Sequence, residues 1–251
     1  MKRIRNIKII KIHQNTPNMK RITFSGNDLK DFPDNENGGY IKFLFKKKKD
    51  DLENTLVRPY TIRNFRKKKL ELDIDFSYHS GNQGYATKWA YNAKIGDEIL
   101  ISGPSSKQKI NTSSKWYLFV GDMTALPAIS TYLEELHENA NGFAVIEIKS
   151  NDDKVNLKKP KNLKIKWVIS QKNKQCSNDF NKVVRQIKWI DSHPYIWVAC
   201  EFSVMKNMRT FFQKEKNIPR DAMYISSYWK SGLDQEEHKV LKKEDSVNWG
   251  G

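Results

Sequence analysis

The sequence predicts a fold in two parts, an antiparallel β-barrel followed by a parallel-sheet α/β half of the nucleotide-binding kind. Three observations carry this. Residues 4–12, 19–25, 40–45 and 70–78 alternate apolar and polar side chains with the period of two that a half-buried strand needs. A Ser/Asn/Lys-rich connector, roughly residues 105–115, then breaks the pattern. Beyond it, short buried strands alternate with helices, the order that builds a parallel sheet. The reading gives a barrel domain over residues 1–107 and an α/β domain with a C-terminal extension over residues 108–251.

Bulk properties agree with a globular chain: 251 residues, 38% hydrophobic and 12% aromatic. No apolar run approaches the ~20 residues that span a bilayer, so no stable membrane association is expected. The basic start, Met1 to Asn6, leads into Ile–Lys alternation without an apolar signal region, and a cytoplasmic protein is expected. Cys176 and Cys200 are too far apart for a C-x-x-C motif. The net charge of +16 favours an anionic partner. Lysines run through the whole chain alongside 22 asparagines, a compositional bias rather than one patch, and the runs Lys46–Lys49 and Lys67–Lys69 read as solvated loops. The aromatics sit in predicted strands and turns rather than between lysines, which argues against a nucleic-acid stacking platform.

In the first half, the segment Arg58-Pro59-Tyr60-Thr61-Ile62-Arg63 concentrates chemistry. In an extended segment Arg58 and Tyr60 share one face and Thr61 takes the other. Pro59 cannot donate to a ladder, so it belongs at a strand start or an edge. A cation, a flat ring and a hydroxyl on one strand suit a ligand with an anionic end and a planar heterocycle, such as a flavin dinucleotide. Asp31 to Gly39 reads as a loop, and so does Lys46 to Asp51. After the strand ending Phe76-Ser77-Tyr78-His79, a glycine turn through Gly84 opens onto a short helix, Ala86 to Ala93. A turn of that kind presents free backbone N–H groups, which suits a pyrophosphate. Gly96-Asp97, a strand over 98–102 and a turn at Gly103-Pro104 close this half.

In the second half, Trp116 to Val120 is a buried strand and Gly121-Asp122-Met123-Thr124 its turn. From Ala125 a helix carries Pro127 in its first turn, where proline is tolerated. Residues 143–148, 163–169 and 195–199 are further strands. Ser203 is the expected cap of a helix with Val204, Met208, Phe211 and Phe212 on one face, and 224–227 is a last strand. There is no G-x-G-x-x-G, P-loop lysine, zinc-ligand spacing or Ser/His/Asp triad.

Taken in order, R-P-Y-T-I-R, H-S-G-N-Q-G-Y-A-T-K-W-A, G-D-E-I-L-I-S-G-P, G-D-M-T-A-L-P-A-I, A-C-E and Y-W-K-S-G-L-D-Q-E-E-H resemble the siderophore-interacting proteins. These are flavin-dependent ferric-siderophore reductases of the ferredoxin–NADP reductase superfamily, and the likeness covers about residues 40–240. The resemblance implies FAD as cofactor, with Tyr60 against the isoalloxazine ring, Thr61 near its reactive nitrogen, and Arg58 with the amides around Gly84, Ala86 and Thr87 on the pyrophosphate. Asp75, Ser77 and His79 would line the flavin edge and Trp89 the nucleotide end. Asp122, Thr124 and Ala125 would receive NADH or NADPH at a helix N-terminus, and Glu201 would face the nicotinamide, with Tyr228 and Trp229 shaping that pocket or the substrate entrance. Met123, Cys200 and Tyr85 stand where the family often has Glu, Gly and Pro, and Cys200 puts a side chain where bare backbone would admit nicotinamide.

The implied reaction moves electrons from NAD(P)H, or from a ferredoxin, through FAD to siderophore-bound Fe³⁺, releasing Fe²⁺ without a permanent metal site on the protein. The expected substrate is an anionic ferric siderophore of the catecholate type, drawn in by Lys48 and Lys230 in a monomeric protein. A general ferredoxin or flavodoxin reductase without a siderophore role, and a non-catalytic siderophore-binding module, are the rival readings.

Overall fold

The computed structural model describes residues 3–46, 55–78, 84–170, 178–190 and 194–250. Within these the chain falls into two compact units, residues 1–109 with 127–132, and residues 110–126 with 133–251.

Alternation in the first unit gives β1 (Ile4–Thr16), β2 (Met19–Ser25), β3 (Tyr40–Lys46), β4 (Thr55–Arg66), β5 (Glu71–Ser77) and β6 (Glu98–Ser105). They close into an antiparallel barrel in the order β1-β2-β5-β4-β3-β6. Ile9, Ile22, Phe24, Phe43, Ile62, Ile74, Phe76 and Ile101 fill it, fully buried. The expected helix is α1 (Tyr85–Asn92), which lays Ala86 and Ala90 on the same core. One seam of the barrel opens. Among the described residues β4 pairs with β5 only from Ile62 onward, so residues 55–61 have β3 alone as neighbour, and residues 75–77 of β5 have only β2. Pro59 therefore sits in mid-strand rather than at a strand start, where a missing donor removes no bond to β5. Gly103-Pro104 lies inside β6 rather than in a turn after it, because a register shift against β3 absorbs the two residues.

The second unit holds β7 (Tyr117–Gly121), α2 (Leu126–Glu135), β8 (Gly142–Ile148), β9 (Leu163–Ile169), α3 (Asn178–Arg185), β10 (Tyr195–Glu201), α4 (Phe202–Thr210), β11 (Met223–Trp229) and α5 (Gln235–Gly250). The strands form one parallel sheet, β11-β10-β7-β8-β9. The chain winds outward from β7 to β9, then returns to the other side of β7, so the order reverses between β7 and β10. In open α/β sheets that reversal leaves a crevice at the strands' C-terminal ends. Leu118, Val120, Ile196, Val198 and Cys200 pack against Phe180, Val184, Met205 and Met208 of α3 and α4. At Gly142 (φ +141°) a Cβ would lie 2.0 Å from the Tyr117 carbonyl oxygen, so only glycine lets β8 start beside β7.

α3 and α5 are additions to the sequence reading. α5 begins with a reciprocal capping box: Asp234 Oδ1 accepts from the amides of Glu236 and Glu237, and Glu237 Oε2 accepts from the Asp234 amide. Arg209 holds Asp245 through two bonds of 2.6 and 2.7 Å, and Trp249 lies within cation–π reach of Arg209 and Arg220. No described helix is long and apolar enough to cross a membrane.

Candidate functional site

On the open flank of β4, Arg58 is half-buried and donates only to the Val57 carbonyl, at 2.9 Å. Among the described residues no carboxylate pairs with it. Two other barrel arginines contrast with this: Arg21 grips Asp75 at 2.7 and 2.8 Å, and Arg66 binds Glu71 at 2.7 Å and Asp73 at 2.5 and 2.8 Å. The Tyr60 ring lies 4.5 Å from Phe76 and 5.6 Å from Phe43, and its hydroxyl bonds to Thr87 in the first turn of α1. Burial pushes the Tyr60 phenol well above its ordinary range, although the nearby Arg58 cation and the Thr87 bond oppose the shift. Thr61, half-buried, pairs with Tyr40.

The Tyr60–Thr87 bond brings the N-terminus of α1 to this strand. Gly84 is its N-cap, no side chain caps the turn, and a Cβ at Gly84 would meet nothing within 4 Å. A cation without a counter-ion among the described residues, helix amides that no described side chain caps and a half-exposed ring fit a ligand with a pyrophosphate and a planar heterocycle, which is the chemistry of FAD.

Asp75 and Ser77 stand on the stretch of β5 beside the open seam, and the Ala86 amide belongs to the first turn of α1. The Asp75 carboxylate is held by Arg21, so it supports the β2–β5 pair. Trp89 packs into the barrel cluster, 5.5 to 6.4 Å from Phe24, Phe43, Phe45 and Phe76. Ser77 ends β5 opposite Met19, and Ala86 is buried in the core. His79 and Lys48 lie outside the described residues.

At the strand-order reversal of the second unit, two buried carboxylates gather donors. Asp122 Oδ1 accepts from the Thr124 amide at 2.8 Å and hydroxyl at 2.5 Å, and Oδ2 from the Glu201 amide at 3.1 Å and the Trp229 indole at 2.8 Å. Its backbone oxygen also accepts from the amides of Ala125 and Leu126. Glu201 Oε2 accepts from the amides of Ser203 and Val204, and Oε1 from Lys230 Nζ at 3.1 Å and the Ser231 amide at 3.2 Å. β10 runs into α4 without a turn, so Glu201 is the N-cap and Ser203, the expected cap, stands two positions further on. The first turn of α2 is thus bound to Asp122, unlike the open first turn of α1. Lys230 is fixed between Glu201 and Ser203 Oγ at 2.8 Å. Cys200 points into the α3/α4 core with 1% exposure, because alternation on β10 turns it away from the side Ala199 faces. Ser231 completes this network and is not among the site residues read from the sequence; the Lys230-Ser231-Gly232 turn directly after a strand is its one signal. Among the described residues no group of His, Cys, Asp and Glu is arranged to hold a metal.

A barrel with this seam, followed by a sheet with this reversal, is the architecture of the flavin and nicotinamide-nucleotide reductases. The chain aligns with ferredoxin-NADP+ reductase from Plasmodium falciparum at TM-score 0.60 and 15% identity, over 89% of this chain and 95% of that one, a likeness of fold. The family described as "Siderophore-interacting FAD-binding domain" matches residues 8–56 and 49–108, and "Siderophore-interacting protein" matches residues 114–232. The chain belongs to the siderophore-interacting family. It is similar to the ferric vibriobactin reductase ViuB of Vibrio cholerae, 29% identical over 90% of this chain and 91% of that protein. The NADPH-dependent ferric-chelate reductase of Escherichia coli is 28% identical over 63% of this chain and 61% of its own length. Among solved structures, the siderophore-interacting protein SipS from Aeromonas hydrophila aligns at TM-score 0.87 and 27% identity over 98% of this chain and 99% of that one.

Proposed function

We propose that this protein is an FAD-dependent ferric-siderophore reductase that draws electrons from NAD(P)H or from a ferredoxin. The observation that supports it most directly is the cradle on the open β4 seam, where among the described residues Arg58 has no counter-ion beside the uncapped α1 turn. Bound FAD supplies the two-electron and one-electron chemistry that no side chain here possesses. Arg58 and the first amides of α1 hold the pyrophosphate, Tyr60 offers an aromatic surface whose hydroxyl is anchored on Thr87, and Thr61 offers a hydroxyl on the opposite face of the strand. Asp122 and Glu201 draw the ends of β7, β10 and β11 together and set the position of Trp229. The iron is substrate: Fe³⁺ in an all-oxygen chelate is held as a hard cation, and reduction weakens that hold. We take the chelate to be anionic and of the catecholate type, and the enzyme to be a cytoplasmic monomer, in keeping with the +16 charge.

The test begins with the visible spectrum of the purified protein. Flavin absorption bands, acid release of FAD rather than FMN, bleaching by anaerobic NADPH or NADH, and recovery on adding a ferric siderophore with Fe²⁺ trapped by a chelator are the expected results. Colourless protein that fails to take up FAD ends this reading, and bleaching without iron reduction favours a reductase for another acceptor.

A further inference from the structure

Residues 154–166, Lys-Val-Asn-Leu-Lys-Lys-Pro-Lys-Asn-Leu-Lys-Ile-Lys, contain six lysines and no carboxylate. This stretch alone supplies +6 of the chain's +16. It leads from β8 into β9, the outermost strand of the five-stranded sheet, whose outer edge has no strand partner among the described residues. Lys154, Lys158, Lys161, Lys164 and Lys166 are exposed, and Lys159 is half-buried with its amine on the Pro160 carbonyl. Among the described residues none of the six is ion-paired. The β8 residues in register with β9 include one carboxylate, Glu147, which is half-buried opposite Val168, and Asp152 precedes the strip.

Lysines on a free edge commonly guard against strand-to-strand aggregation, and that accounts for Lys164 and Lys166. It does not account for Lys154, Lys158 and Lys161, which precede the strand. The make-up of the strip indicates what it meets. Every cation is lysine, a hydrated point charge, and none is arginine, whose fork suits paired recognition of carboxylates or phosphates. Protein interfaces centre on Arg and aromatic anchors, and single-stranded nucleic acid needs several stacking rings; residues 154–166 offer neither, and β9 carries one ring, the half-buried Trp167. Half-buried Val155 and Leu157 lie among the lysines, and Ile169, 40% exposed, ends the strand.

We propose that the β9 edge is a reversible attachment surface for an anionic phospholipid bilayer. Diffuse attraction of ammonium groups to many headgroups requires no pocket and no fixed geometry, and it weakens with salt. Attachment of this kind is peripheral and needs no spanning segment. It does not depend on the reductase reading.

The test is co-sedimentation of the FAD-loaded full chain with vesicles of equal parts phosphatidylglycerol and phosphatidylcholine, against vesicles of phosphatidylcholine alone. Binding to the anionic vesicles at low ionic strength, its loss at high salt and none to neutral vesicles are expected. Each Lys→Gln change in the strip should lower partitioning about five-fold at low salt. The combined Lys154→Gln, Lys158→Gln, Lys161→Gln, Lys164→Gln, Lys166→Gln protein should lose binding while keeping its thermal midpoint and its reductase turnover. If that protein folds poorly, Lys154→Gln, Lys158→Gln, Lys161→Gln serves, since these positions precede the strand. A control with Lys68, Lys69, Lys94, Lys214 and Lys243 changed to Gln should retain most of the binding. Equal loss in strip and control proteins would reduce the effect to net charge and overturn the proposal. So would failure of the wild-type chain to sediment, or strip-dependent binding only to DNA or to an acidic protein.

Discussion

Two arginines on one strand should respond in opposite ways to truncation. Arg58 has a single bond, to its neighbour's carbonyl, whereas Arg66 neutralises Glu71 and the buried Asp73. Burial alone would raise Asp73, but bonds from Arg66 and Thr23 outweigh it and hold the carboxyl below its usual range. Arg66→Ala leaves that carboxylate with the Thr23 hydroxyl, 2.7 Å away, and the more distant charge of Arg21, which is already engaged by Asp75. Stranding a buried charge costs about 3–5 kcal/mol, and each kcal/mol lowers the thermal midpoint of a chain this size by about 2–4 °C. Arg58→Ala strands nothing, so the flavin-free protein should melt close to wild type. Its effect should appear in cofactor affinity instead. Loss of a charge-assisted bond to phosphate is worth about 1.5–3 kcal/mol, which weakens FAD binding about 10- to 150-fold. Fluorescence titration of FAD into stripped protein, with melting curves of the same samples, measures both quantities. Matching losses of stability in the two variants, or unchanged FAD affinity in Arg58→Ala, would refute the assignment of Arg58 to the pyrophosphate.

Other predictions follow from the same geometry. Thr61→Val should leave FAD affinity unchanged and slow bleaching of the flavin by NADPH in stopped flow, because the hydroxyl and not the shape is removed; weaker FAD binding would make it a structural residue. Lys230→Gln should lower the thermal midpoint, since Glu201, 2% exposed, loses its cation at a cost of about 1–3 kcal/mol; an unchanged midpoint with a raised KM for siderophore would return Lys230 to a substrate role. His238 bonds Ser227 at 2.9 Å, stacks its edge toward Phe202, and has its Nδ1 buried without a partner. Burial and the adjacent Lys242 cation lower its pKa, with Glu201 acting in the opposite direction. The fold therefore favours the neutral ring, and stability present above the ordinary imidazole value of about 6.5 should fall away as the pH drops below it. Melting curves of wild type and His238→Gln across that range check this; parallel pH dependence would clear His238.

The strands were legible because burial on one side imposes a period of two that the sequence carries openly, as along residues 19–25 and 70–78. α3 was not read because it spans only eight residues, with Phe180 and Val184 as its fully buried apolar positions. α5 was not read because its charged run resembles a solvated tail, yet Asp234 and Glu237 were a visible capping box. Cys200 shows another limit. From the sequence it obstructed a nucleotide, and the alternation of β10 places it in the core instead.

Residue type at a strand end says what a side chain is able to bind, but not what it already holds. Gly84 and Gly121-Asp122 are both glycine turns opening onto helices; the first suits a pyrophosphate, and the resemblance implies a nicotinamide nucleotide at the second. In α1 the turn stays open, because glycine brings no side chain to cap it and the neighbouring cation, Arg58, is free of carboxylates among the described residues. In α2 the same position is taken by the chain itself: Asp122 binds the amides of Thr124, Ala125 and Leu126 through its carboxylate and its carbonyl. A carboxylate at that spot also repels a second anion, whereas it favours a group that gains positive charge. We therefore expect anion binding at the α1 turn rather than at the α2 turn. The Asp122–Glu201 end of the second unit is better suited to a nicotinamide ring, which turns cationic on giving up hydride, than to a dinucleotide's phosphates. Asp122→Asn should accordingly weaken retention of the oxidised nucleotide more than that of the reduced one, as measured by product inhibition against KM. Equal weakening of both would mean that Asp122 serves only to hold Trp229 and the first turn of α2 in place.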